Sequence, residues 1–173
     1  LLSKQRCWIL MFSIDELNGV MRMKGENRVV QFHKHHFDLC DLNEFDKKNL
    51  ELFENYREYL NHFAQNGTAF TGLSDGEVFG MFGMWILWPG VAEGWLIPSR
   101  HIGRKTIPFH RGALRYFKYA SAKLGVKRLQ FTVHSQNVPA CRWAERCYFE
   151  QEGTLRNYGP DGADYFMFSR IMS

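Results

Sequence analysis

A chain of 173 residues, 45% hydrophobic and 16% aromatic, can bury one core without disulfide or metal staples, which excludes a disordered protein and leaves little room for a second domain. Its 22 lysines and arginines against 18 aspartates and glutamates leave a net charge of +4, too mild across a whole domain to imply nucleic-acid binding. The four cysteines, Cys7, Cys40, Cys141 and Cys147, lack CxxC spacing and read as free thiols in a reducing compartment, the cytoplasm.

Near the start, the apolar run Trp8 to Phe12 follows Lys4 and Arg6 as in a signal peptide. It is far short of the roughly 20 residues of a membrane span, and Asp15 and Glu16 follow at once. Leu1 is no initiator, so the chain reads as a fragment, a processed product or a frame whose start is Met11. Residues 1–12 are set aside as an extension and 13–173 taken as one domain. His33, His35, His36, Asp38 and Cys40 crowd into a span too short to surround a zinc ion, so no metal is expected there.

A helix is predicted from about Asn43 or Asp46 to Gln65, with Phe53, Tyr56, Leu60 and Phe63 as its apolar stripe and Asn66-Gly67 as its stop. Three strands follow as a meander, Thr68 to Leu73, Val78 to Leu87 and Val91 to Pro98, separated by Ser74-Asp75-Gly76 and Trp88-Pro89-Gly90. Trp85, Trp88 and Trp95 are expected in the core or a pocket wall. A basic break, Arg100 to Arg115, leads into a helix opened by Pro108 and capped by Gly125, with Thr106 to Phe109 read as an insertion before it. Leu129, Phe131 and Val133 then alternate as a strand. Asn137 precedes a short helix with Pro139 in its first turn, and Gly153 to Tyr158 and Asp164 to Ile171 form a last hairpin.

The segment from Asn137 through Ala140, Trp143, Phe149, Glu152-Gly153 and Leu155, with Asp161-Gly162-Ala163-Asp164 and Phe168-Ser169 after it, resembles the C-terminal signature of the GNAT superfamily of acetyl-CoA-dependent N-acyltransferases. Within that resemblance the chain is similar to the small internal virion proteins of short-tailed phages, a GNAT-like family. The resemblance implies an α/β fold with a mixed sheet in the order α-βββ-α-β-α-ββ and a splayed central strand pair. It implies acetyl-CoA as cosubstrate and an amine acceptor that the sequence does not name. No membrane partner is expected, and a nucleic-acid role would require steeply salt-dependent binding.

By the same resemblance, Leu96 and Ile97 line the pantetheine arm and carry the main-chain donation that Pro98 cannot. Arg100, Ile102, Gly103, Arg104 and Lys105 stand where the family holds the pyrophosphate at a helix start, with Lys105 in place of the family's last small residue. Asn137 and Ala140 complete the cofactor set. Glu93 is the first choice for the general base, with His134 and then His101 as alternatives. The family's thiolate-protonating Tyr is replaced by Ala144, with Tyr148 four residues on. Lys105, Ala144 and the insertion favour a second reading, a virion or interaction protein that keeps the fold without the chemistry, located in the virion or the host cytoplasm.

Overall fold

The computed structural model describes residues 11–173, so Cys7 and most of the Trp8 to Phe12 run lie outside the described residues. Phe12, assigned above to the extension, is core: it is buried, with its ring edge-on to Phe70 at 5.8 Å and to Tyr119 at 5.7 Å. Ser13 then caps helix α1 (Ile14–Met21), its Oγ accepting the Glu16 N–H at 3.4 Å. Asn18 docks α1 on strand β1 (Arg28–Gln31): the Val29 N–H donates to Oδ1 at 2.7 Å, and Nδ2 donates to the Val29 carbonyl at 2.8 Å. Neither element is in the sequence reading. The Ser13-x-x-Glu16 capping pattern followed by buried Leu17 and Met21 was the signal available for α1.

The histidine-rich stretch forms a single turn, α2 (His36–Leu39), and His36 Nδ1 lies 2.7 Å from Thr71 Oγ1. The one helix expected between Asn43 and Gln65 is two, α3 (Glu44–Glu51) and α4 (Tyr56–Gln65), parted by a turn. A straight helix of that length would run about 30 Å. The turn instead lets α4 bury Leu60 on the sheet while α3 swings across its end.

The meander follows as expected: β2 (Gly67–Ser74), β3 (Glu77–Trp88) and β4 (Val91–Pro98). Asp75, Gly76 and Gly90 take the positive φ their tight turns demand. Trp88, predicted as core, is 59% exposed because it sits where β3 leaves the sheet. After a 3₁₀ turn (Ile102–Lys105) comes helix α5 (Thr106–Leu124), ended by Gly125 at φ 66°. Thr106 to Phe109 are therefore the first turn of α5 and not an insertion. Pro108 is tolerated there because first-turn N–H groups have no intrahelical acceptor.

The chain closes through β5 (Arg128–His134), α6 (Val138–Arg146), β6 (Glu150–Leu155) and β7 (Tyr165–Ile171). β6 thus begins and ends three residues earlier than predicted. It is the edge strand, and its charged residues face solvent, so hydrophobic alternation could not reveal it. The seven strands run β1-β2-β3-β4-β5-β7-β6, antiparallel except for the β4–β5 pair, which α5 connects. One face of the sheet packs on α1, α5 and α6; the other packs on α2 and α4, with α3 at its rim. No helix among the described residues is long and apolar enough to cross a membrane.

A polar chain crosses the sheet's far end. Arg128 Nη1 donates to Glu152 Oε1 at 2.9 Å, Ser169 Oγ donates to the same oxygen at 2.6 Å, and Arg128 Nε donates to Gln130 Oε1 at 2.9 Å. These donors pull the Glu152 carboxyl down to about 2. A carboxylate depressed in the fold stabilises above its unfolded value and loses that contribution as pH falls through the folded one. Glu152→Gln is therefore expected to lower the urea midpoint at pH 6 and to match the parent chain near pH 2, as denaturation at the two pH values would read.

Candidate active site

The β4–β5 ladder holds only three pairs, the last being Glu93↔Gln130. Beyond it, β4 stays bonded to β3 as far as Pro98 and β5 stays bonded to β7 as far as His134, so the outer flanks hold while the inner flanks part. Amides alternate sides along a strand. The bond from the Ser99 N–H to the Phe79 carbonyl fixes that alternation, sending the Ile97 main chain to β3 and turning that of Leu96 toward β5. Leu96 thus presents an N–H and a carbonyl with no ladder partner, whereas Ile97, expected to share the donation, spends its amide within the sheet.

A cavity of about 730 Å³ occupies the opening. Gly94, Leu96, Ile97 and Pro98 form its β4 wall, and Phe131, Thr132, Val133 and His134 its β5 wall. Asn137, Ala140 and Trp143 reach it from α6, with Asn137 Oδ1 also capping that helix through the Ala140 N–H at 3.2 Å. The Trp143 ring stacks on Phe109 of α5 at 5.4 Å, and its Nε1 is buried with no acceptor among the described residues.

Charge is sorted along the cavity. Arg22, Lys24, Arg28, Lys105, Arg111 and Arg115 line one end, beside the start of α5. The remaining residues of the basic loop do not all turn inward: Arg100 Nε pairs with Asp41 at 2.7 Å, and His101 Nε2 lies 3.1 Å from the same carboxylate. Lys105 lines the cavity and bonds Asp75 at 2.8 Å, Asn27 at 3.2 Å and also Ser74. Ile102 is half-buried in the 3₁₀ turn, Arg104 is exposed, and a side chain at Gly103 would meet nothing.

Glu93 does not itself line the cavity; the wall begins with the next residue, Gly94. Its carboxyl is pushed up by burial, partly offset by a hydrogen bond from Gln130, whose Oε1 is already committed to Arg128. The Tyr158 phenol lies within electrostatic reach of this carboxyl. Burial and the Glu93 charge raise it, and a hydrogen bond with Thr132 works the other way. His134 lies at the far end of β5, its ring 5.1 Å from Phe45 and 5.0 Å from Tyr165. The Gln136 N–H donates to its Nδ1 at 3.1 Å, so the neutral ring carries its proton on Nε2 and offers a donor, with no lone pair left facing the cavity.

Ala144 is fully buried. Tyr148 is 68% exposed in the left-handed region at φ 63°, with the Arg170 guanidinium 5.4 Å over its ring, turned away from the cavity. No group of three His, Cys, Asp or Glu side chains among the described residues is placed to hold a metal ion. Sequence reasoning did not find Gln130, Tyr165 or Asp46, because their roles depend on which strands and turns become neighbours.

By sequence, no family model matches the chain and no curated protein is similar to it. By structure the likeness is broad. A GNAT-family acetyltransferase from Streptococcus pneumoniae superposes with a TM-score of 0.62 at 15% identity, covering 86% of this chain and 100% of that one. One from Bacillus anthracis gives 0.63 at 16%, covering 86% and 97%. One from Elizabethkingia anophelis, solved with acetyl-CoA bound, gives 0.63 at 10%, covering 86% and 100%. The chain has the fold of GNAT acetyltransferases.

Proposed function

We propose that this chain is an N-acetyltransferase that moves an acetyl group from acetyl-CoA to an amine by direct attack in a ternary complex. The observation that carries the reading is the parting of β4 and β5 immediately after Glu93, which leaves the Leu96 main chain unpaired along a cavity. A pantetheine arm would lie there as an added strand, donating an amide N–H to the Leu96 carbonyl and leaving the Leu96 N–H for the thioester. The cationic end and the first-turn amides of α5 suit the phosphates, with Arg111 and Arg115 closer to hand than Arg100. Asn137 and Ala140 would flank the arm from α6.

In the reaction the amine nitrogen bonds to the thioester carbonyl carbon, and the carbonyl oxygen takes up negative charge that the Leu96 N–H stabilises. The carbon–sulfur bond then breaks, and coenzyme A leaves as the thiolate. Glu93, whose residue does not line the cavity, takes the first proton from the ammonium through a water, and the second leaves the nitrogen as the tetrahedral intermediate collapses and ends on the sulfur. His134, with its proton on Nε2, serves as a donor toward the acceptor and not as the base. Tyr165, which lines the cavity beside His134, takes the place of the absent helix tyrosine in delivering a proton to the thiolate.

The non-catalytic virion reading loses its main support. The insertion it relied on is the first turn of α5, Lys105 is held by Asp75, and the solved structures named above are acetyltransferases. Calorimetry with acetyl-CoA tests the proposal: a Kd of order 1–100 μM is expected, and no heat at about 1 mM ligand would leave only the fold. Thiol release with a panel of primary amines then reads the transfer itself.

A further inference from the structure

The cavity lining also carries one negative group. Beside the C-terminal ends of β4 and β5, α3 lines the cavity with Phe45, Asp46, Asn49, Leu50 and, just past the helix, Phe53. Asp46 is the sole carboxylate among the described lining residues. Among the described residues it takes part in no ion pair, and its one side-chain partner there is the Asn43 amide, which donates to Oδ2. The Asp46 N–H in turn donates to Asn43 Oδ1 at 2.8 Å, so the carboxylate is fixed in place by the cap.

A carboxylate in the first turn of a helix ordinarily serves the helix dipole. Glu44 already fills that role from an exposed position, whereas Asp46 is half-buried and lines the cavity. Burial drives its carboxyl up despite the Asn43 bond and the helix start, so the fold by itself does not compensate the charge. A cation supplied from outside would.

We infer that the amine acceptor carries a second, non-reacting positive charge and that Asp46 holds it; this rests on the transferase reading above. The two charges cannot be the same group. A carboxylate against the reacting ammonium would favour its protonated form and oppose attack. The spacing also separates them: Phe45 packs on His134, four residues beyond Gln130, so Asp46 stands on the order of 10 Å from the cavity floor beside Glu93. The acceptor is thus an extended diamine-like molecule or a basic side chain on a cationic carrier, its far charge flanked by the Phe45 and Phe53 rings.

The test uses the full chain with α,ω-diaminoalkanes of graded length and n-alkylamines of matching length. The parent protein is expected to show kcat/KM for the best diamine at least ~10-fold above its matched monoamine. In Asp46→Asn that ratio falls toward one, while Asp46→Glu retains the preference with a shorter best diamine, a shift that a merely structural residue would not produce. Binding of the same diamine to the coenzyme A-loaded protein, by calorimetry, reads the subsite without turnover. Monoamines acetylated as well as diamines, or a ratio unmoved in Asp46→Asn, overturn the inference and leave the transferase standing. Asp46-dependent diamine binding without acetyl transfer upholds the inference and overturns the transferase. Neither binding nor transfer overturns both.

Discussion

Glu93→Gln is expected to lower kcat by roughly 10²–10³ at neutral pH, with acetyl-CoA affinity unchanged. The acceptor arrives as an ammonium with an ordinary pKa near ~10.4, so deprotonating it at pH 7 costs about 4.6 kcal/mol, and a positioned base is what recovers part of that cost. Glutamine keeps the shape and the contact with Gln130 but accepts no proton. Because burial raises the Glu93 carboxyl, the acid limb of kcat/KM in the parent enzyme should fall above the ordinary glutamate value of 4.5, and the variant should lose that limb.

Stability should move the other way. A group raised in the fold contributes fully below its unfolded value and loses that contribution as pH rises through the folded one, so ionised Glu93 costs the fold at neutral pH. Glu93→Gln should therefore have a Tm at pH 7.5 equal to or above that of the parent, with the difference vanishing in acid. A variant of unchanged kcat would remove Glu93 from the chemistry.

Leu96→Pro is expected to cost roughly 10²–10³ in kcat while the protein stays folded, because it deletes one donor and no ladder bond. Along the β5 side, β4 is in effect an edge strand after Glu93, and proline is tolerated where an N–H faces outward. Ile97→Pro is the matched control: its N–H faces β3, so the same change there should break the sheet and unfold the protein at a lower temperature. Leu96→Ala separates loss of the side chain from loss of the N–H. If Leu96→Pro and Leu96→Ala acetylate equally well, the Leu96 amide stabilises no developing charge.

Much of the architecture was readable before any coordinates. The meander was legible because Asp75-Gly76 and Pro89-Gly90 are turn chemistry set between apolar runs, and α6 because Asn137 and Pro139 are start signals whose physics is local. Pro108 signals a helix start but lies two residues inside a helix that begins at Thr106, and the apolar stripe from Phe53 to Phe63 carries no mark of the turn between α3 and α4. A helix boundary without a Gly or Pro is set by what the helix must pack against.

The sequence by itself determined the order of elements, the parallel crossover implied by a strand, a helix and a strand in succession, and the placing of Glu93 next to a glycine on β4. Only the tertiary structure decided which groups share the cavity. The Leu96 amide is available and the Ile97 amide is not, His134 is tied through Nδ1, Arg100 is spent on Asp41, and Asp46 is brought to the cavity from a helix some 50 residues upstream of Leu96. The physical reason is that turns and caps are satisfied by neighbours in the chain. Ladder register, ion pairing and burial depend instead on which distant segments the closed sheet brings together.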